Sequence, residues 1–160
     1  MKRRRDRPTP QVMFRLAERV TVDAPAARVW QALTAWDRQS EWVIATRTYA
    51  TDLVGQGVGG GLESFTGVGP LRFKDTMVIT EWRPPTICRV RHTGRVIRGT
   101  GAFEVESAGE RGAVVTWSES LVMPFGRFGA VCWPVLQPIA SRLLRRSLKS
   151  FADWAPAYPR

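Results

Sequence analysis

The stretch from Pro138 to Trp154 most restricts what this chain can fold into. Ile139, Ala140, Leu143, Leu144, Leu148, Phe151 and Trp154 recur there at the three- and four-residue spacings of one helical stripe. Such a stripe requires a large apolar partner. Arg142, Arg145, Arg146 and Lys149 lie off it, in turns where cations suit the negative end of the helix dipole, and read as a basic solvated face. Upstream, Phe125 to Gln137 is aromatic and glycine-rich, and Pro134 and Pro138 are expected to kink or interrupt any helix there. The remainder reads mainly as strands, so a curved sheet is the natural partner.

From the other end, Val12 to Val22 alternates as a strand, with Phe14, Leu16, Glu18, Val20 and Val22 on one face and Arg15, Arg19 and Thr21 on the other. Asp23 and Pro25 then signal a helix start, through a capping carboxylate and a proline tolerated in the first turn. Ala26, Val29, Trp30 and Leu33 give that short helix its buried side. Thr34 to Trp42 reads as a turn and a second short helix, with Asp37 as its cap and Trp36 and Trp42 as packing anchors.

The run Val22, Ala24, Pro25, Val29, Trp30, Leu33, Asp37 and Trp42 resembles the opening signature of the START-like (SRPBCC) helix-grip superfamily, which includes polyketide cyclases, coenzyme Q-binding proteins and plant allergens. Thr80, Glu81, Trp82, Arg83, Pro84 and Pro85 resemble its strand-end turn, and the long C-terminal helix fits its last element. The resemblance covers roughly residues 12 to 154. It implies an α+β helix-grip fold: a curved antiparallel sheet of about seven strands around a long C-terminal helix, with two short helices after the first strand. The same scaffold hosts carriers, sensors and enzymes, so function has to come from the site.

Ile44 to Asp52 is expected as a strand, followed by glycine-rich Gly55 to Gly61. Gly55, Gly57 and Gly60 spell GxGxxG, but another strand follows rather than the helix of a dinucleotide-binding unit, so a loop at a cavity mouth is expected. Leu62 to Met123 reads as five strands linked at Gly67 to Pro70, Arg83 to Thr86, Arg95 to Gly99 and Ala108 to Gly112. Parity places Leu71, Phe73, Asp75, Met77 and Ile79 on the helix-facing side. The same test selects Cys88, Val90 and His92, then Gly101, Phe103 and Val105, then Val115, Trp117, Glu119, Leu121 and Met123.

Keeping these sets on one face stacks them into rows. Ile79, Val90, Val105 and Val115 form one, Met77, His92, Phe103 and Trp117 the next. Glu63, Asp75, Gly94, Gly101 and Glu119 form a third, in which two absent side chains leave space. The expected cavity is therefore apolar at one end and polar at the other, with Glu63, Asp75, Met77, His92, Phe103, Trp117 and Glu119 as ligand-binding residues.

His92 is the only histidine, so no multi-histidine metal site is expected, and no cofactor is implied. It lies diagonal to Asp75, whose carboxylate would orient the ring and make the imidazole a general base; the alternative is a satisfied core histidine. Asp75 and Glu119 need partners on an apolar face, and Arg89, Arg91 or Arg47 at the rim would supply them if the carboxylates are structural. His92, Asp75 and Glu119 are the catalytic candidates. There is no GxSxG, phosphate loop or catalytic cysteine–histidine spacing, and Cys88 and Cys132 read as free thiols.

The 160 residues suit one ligand-binding domain, residues 11–156, behind a disordered basic arm of residues 1–10. The net charge of +10 sits at the ends: residues 1–10 carry five bases and one acid, residues 125–160 six and one. No nucleic-acid-binding motif accompanies this basicity, so nucleic acid is not an expected partner. With neither a secretion signal nor an apolar run long enough to span a bilayer, a cytoplasmic location is expected.

Three functions compete. The favoured one is binding of a hydrophobic or aromatic small molecule, lipid- or polyketide-like, between sheet and helix. The second is a polyketide cyclase or aromatase using His92, Asp75 and Glu119 for proton transfer. The third is lipid handling with weak contact to an anionic membrane surface, Phe125, Phe128, Val131 and Trp133 forming an insertion edge beside the basic helix face.

Overall fold

The structure, a computed structural model, describes residues 13–52, 55–122 and 126–159. The basic arm, Met123 and Phe125 lie outside the described residues, as do the side chains of Leu71 and Phe128. The elements are β1 (Met13–Val22), α1 (Ala26–Leu33), a 3₁₀ helix (Trp36–Glu41), β2 (Thr46–Ala50), β3 (Gly61–Val68), β4 (Leu71–Arg83), β5 (Ile87–His92), β6 (Arg98–Ser107), β7 (Ala113–Val122) and α2 (Gly126–Trp154). The strands form one antiparallel sheet in the order β1-β7-β6-β5-β4-β3-β2. From β2 to β7 this is a meander. β1 then closes onto β7, and α2 returns against the same sheet. The fold is the α+β helix-grip arrangement.

In β1 the alternation places Leu16 and Val22 inward and buried while Arg15, Arg19 and Thr21 are exposed. In α1, Val29, Trp30, Ala32 and Leu33 are buried. Asp23 does not cap this helix. Pro25 holds the N-cap position, its carbonyl accepting from the Arg28 and Val29 amides at 2.9 and 3.1 Å, which leaves Asp23 two residues too early. Asp37 likewise forms no capping bond, although Trp36 and Trp42 are buried anchors as expected.

The packed core fills the sheet end where α1 and the C-terminal half of α2 meet. Trp30, Leu33, Trp42, Ile79, Val105, Val115, Leu148 and Phe151 form one buried cluster there. Trp42 is its hinge point, with ring centroids 4.7 Å from Phe151, 6.1 Å from Trp117 and 6.2 Å from Phe103.

α2 departs from expectation in two ways. It is continuous from Gly126 through Pro134 and Pro138. Each proline removes one amide from the helical ladder, but both lie exposed, where water can satisfy the freed carbonyls. Its sheet-facing stripe is also narrower. Ala140, Leu144, Leu148 and Phe151 turn inward, whereas Ile139 and Leu143 are 53% and 46% exposed. Trp133 is no insertion edge, since it is half-buried against Phe14 with ring centroids 4.2 Å apart.

The glycine-rich connection between β2 and β3 lies away from the cavity. The Asp52 carboxylate accepts from the Gly55 and Gly61 amides at 2.6 and 3.0 Å, the Gly59 amide donates to the Ile79 carbonyl at 2.8 Å, and the Trp36 indole donates to the Gly55 carbonyl. Antiparallel pairing explains the placement. β2 ends and β3 begins at the packed end of the sheet, so their loop lies at the end opposite the β3–β4 and β5–β6 turns.

Candidate functional site

Toward that other end, sheet and α2 separate around a cavity of about 340 Å³. Its lining includes Met77, Phe103 and Trp117 on the side of the core, and Leu16, Phe73 and Leu121 nearer the strand ends. Leu144 and Ser147 of α2 close it from the helix side. Ile44 and Leu143 also line it and are 40% and 46% exposed, so it reaches solvent between them. Among the described residues no helix is long and apolar enough to cross a membrane.

Asp75, His92 and Glu119 meet on the cavity wall. The His92 Nδ1–H donates to Asp75 Oδ2 at 2.6 Å and Nε2–H to Glu119 Oε2 at 3.1 Å, while the Trp117 indole N–H donates to Glu119 Oε1 at 2.8 Å. The side chains of His92, Asp75 and Glu119 are only 8%, 4% and 15% exposed. The result is a chain of four groups crossing β4, β5 and β7.

Two glycines make room for it. A Cβ on Gly94 would lie 2.6 Å from Asp75 Oδ1, and one on Gly101 would lie 2.8 Å from both Glu119 oxygens. The space left by these absent side chains is occupied by the carboxylates themselves. Asp75 Oδ1 is buried and has no hydrogen-bond partner among the described residues.

The charge state of His92 follows from its neighbours. Burial alone would push its pKa down, but the hydrogen bonds to Asp75 and Glu119 outweigh burial and raise it to about 9. At neutral pH the ring is therefore an imidazolium with both N–H groups engaged. A ring that already holds both protons has no free nitrogen to accept another, which does not fit the general base expected of His92 at neutral pH. Cys88 also lines the cavity, but burial pushes its thiol up to about 12, so it is not a thiolate nucleophile at neutral pH.

Of the seven residues expected to bind ligand, Asp75, Met77, His92, Phe103, Trp117 and Glu119 line the cavity, and Glu63 does not. β3 is one residue out of the expected register. Ser64 stands opposite Asp75 and Glu63 opposite Thr76, so Glu63 points to the outer face and forms an ion pair with Lys74 at 2.6 Å. Leu62, Ser64 and Thr66 take the inward positions. The rim arginines are not the carboxylates' partners either; Arg89 pairs with Glu81 and Glu104 instead.

The polar groups form a belt, not an end, because Phe73 and Leu121 lie beyond Asp75 and Glu119 on the same strands. Sequence reasoning also missed a second polar wall. Thr48, Ser64, Gln39 and Ser147 are buried cavity residues, and Thr48 stands opposite Ser64. The alternations Thr46-Arg47-Thr48 and Ser64-Phe65-Thr66 carried that signal, with small polar groups inward and large ones outward.

Residues 13–155 match the sequence profile of a family described as polyketide cyclase / dehydrase and lipid transport. The chain belongs to this family. That places it in the START-like superfamily its opening residues resemble. Among solved structures, this family member is similar to the Zhui aromatase/cyclase from Streptomyces sp. R1128, with a TM-score of 0.74 and 16% identity over 93% of this chain and 97% of that one. It is similar to TTHA0849 from Thermus thermophilus, with a TM-score of 0.77 and 13% identity over 91% and 99%. It is also similar to norcoclaurine synthase from Thalictrum flavum, solved with dopamine and hydroxybenzaldehyde, with a TM-score of 0.65 and 14% identity over 94% and 90%. At these identities the likeness establishes the fold. A comparison with curated proteins returns no match.

Proposed function

We propose that the protein binds a hydrophobic or aromatic small molecule in the cavity between the sheet and α2. The observation that carries this reading is an apolar cavity crossed by the belt Asp75–His92–Glu119–Trp117. Its volume falls at the lower end of the roughly 300–1,000 Å³ common for small-molecule sites. Apolar walls supply affinity, and the belt with Thr48 and Ser64 orients a ligand that carries oxygen or nitrogen. Native mass spectrometry of the protein purified from its own organism tests this directly. A reproducible co-purified small molecule, lost when Trp117 or Phe103 is replaced by a small residue, is the expected result. A ligand-free protein that also takes up no aromatic compound in titration would refute it.

A second reading is cyclase-type catalysis, favoured by the imidazolium held between two carboxylates. In an aldol closure a carboxylate would remove a proton from an activated methylene, the new carbon–carbon bond would form, and His92 would donate its proton to the carbonyl oxygen becoming a hydroxyl. Removal of a proton from the adjacent carbon by a carboxylate, with protonation and departure of that hydroxyl as water, would complete a dehydration. His92→Gln and Asp75→Asn should then lower turnover far more than they change ligand affinity. A carrier would show no turnover to lose.

A further inference from the structure

The outer surface at the end of the sheet opposite the packed core carries a pattern that the cavity does not explain. Antiparallel pairing brings the start of β1, the β3–β4 turn, the β5–β6 loop and the beginning of α2 to this same end of the sheet. Large apolar side chains stand exposed there. Val68 at the end of β3 is 74% exposed and Val96 in the β5–β6 loop 45%. On α2, Val131, Val135 and Ile139 follow one another at four-residue spacing and are 76%, 67% and 53% exposed, on the face turned away from the buried stripe. Solvated helix faces are ordinarily polar, so this one is built to meet something apolar.

Charge identifies the partner. Residues 64–74, 93–103 and 120–152 contain two, two and five bases and no acid. Arg72 and Arg95 are exposed beside the turn valines. On α2, Arg142 follows Ile139 by one turn on the outward face, and Arg146 and Lys149 lie further along it toward the packed end. None of these five forms an ion pair with another described residue. A nucleic acid would use the bases but leave the valines unexplained, whereas exposed valines bordered by Arg72, Arg95 and Arg142 match the headgroup and acyl layers of an anionic bilayer.

We propose that this end of the molecule docks on an anionic membrane surface, with the first half of α2 and the two turns entering the interface and the flanking arginines facing lipid phosphates. The inference rests on the exterior alone and stands apart from the identity of the cavity's ligand.

The test is flotation of the full chain with vesicles of phosphatidylcholine alone and of phosphatidylcholine mixed with phosphatidylglycerol, at low and high salt. Binding is expected to the mixed vesicles and to weaken with salt. Arg72→Ala with Arg95→Ala should weaken it roughly 30-fold at low salt, from about 1 kcal/mol per basic residue near the surface. Val131→Ser with Val135→Ser should weaken it roughly tenfold with charge unchanged. The valine variants keep the N-terminal bases, so parent-like vesicle binding by them would show attraction by charge alone and overturn the proposal. Absence of binding to mixed vesicles, or binding only to double-stranded DNA, would overturn it as well. Because Val131 and Val135 do not line the cavity, ligand titration of these variants separates failure here from failure of the cavity reading.

Discussion

Replacing His92 by Gln should both destabilise the protein and remove a pH dependence that the parent carries. The imidazolium is nearly excluded from water and donates to two carboxylates, so its removal leaves Asp75 and Glu119 facing each other across the gap it filled. Breaking a buried ionic network by deleting one partner typically costs about 3–5 kcal/mol. The pH effect follows from linkage. The pKa of His92 is about 9 in the folded protein and 6.5 as a free side chain, so the folded state retains a proton that the unfolded chain releases in between. The stabilisation is therefore complete below pH 6.5 and declines as pH rises through 9. Integrated from pH 6 to 8.5, the loss is about 2 kcal/mol. Urea denaturation of parent and His92→Gln at several pH values in this window measures it. The parent should lose stability with rising pH, and the difference between the two proteins should shrink by that amount. A parent whose stability is flat or rises from pH 6 to 8.5 would refute the charged, doubly bonded histidine.

Gly101→Ala should act on the site more than on the fold, because the added Cβ would meet the end of the Glu119 side chain rather than backbone. It should displace Glu119 from His92 and lower the histidine's pKa toward its ordinary value, a shift measurable by NMR titration of the single imidazole. Glu63→Gln, on the outer face, should leave ligand affinity unchanged within twofold in the same binding assay, and should move stability by less than about 1 kcal/mol because its ion pair with Lys74 is partly exposed.

The faces of most strands were legible in the sequence, whereas two registers were not. In β4, β5, β6 and β7 the inward positions are apolar often enough for a period-two pattern to select the core side. In β3 the pattern is inverted. Ser64 and Thr66 face the cavity while Phe65 lies outside, 6.5 Å from Tyr49 and under the Lys74 ammonium at 5.9 Å. A strand lining a cavity need not bury its largest side chains, so parity alone misplaced Glu63 by one residue. Between β5 and β6 the slip is four residues: Val90 stands opposite Gly101, not Val105. An even slip leaves every side chain on its correct face and every row wrong. It concealed the main feature of the site, because His92 actually stands opposite Gly99 and reaches over β6 to Glu119. The contact with Asp75 was readable from a local diagonal. The second carboxylate, which with Asp75 engages both ring nitrogens of the histidine, came only from the three-strand geometry.

Fluorescence titration with 2-naphthol and naphthalene tests the central claim, the cavity with its polar belt, most directly. Trp117 lines the cavity and donates to Glu119, so a bound aromatic should quench its emission, and Trp117→Phe should remove most of the response. Asp75→Asn should change the affinity for 2-naphthol more than that for naphthalene, since only the former has a hydroxyl for the belt to bind. Saturable quenching that vanishes in Trp117→Phe and discriminates the two compounds is the predicted result. Quenching unchanged in Trp117→Phe, or no saturable binding of either compound, would contradict it.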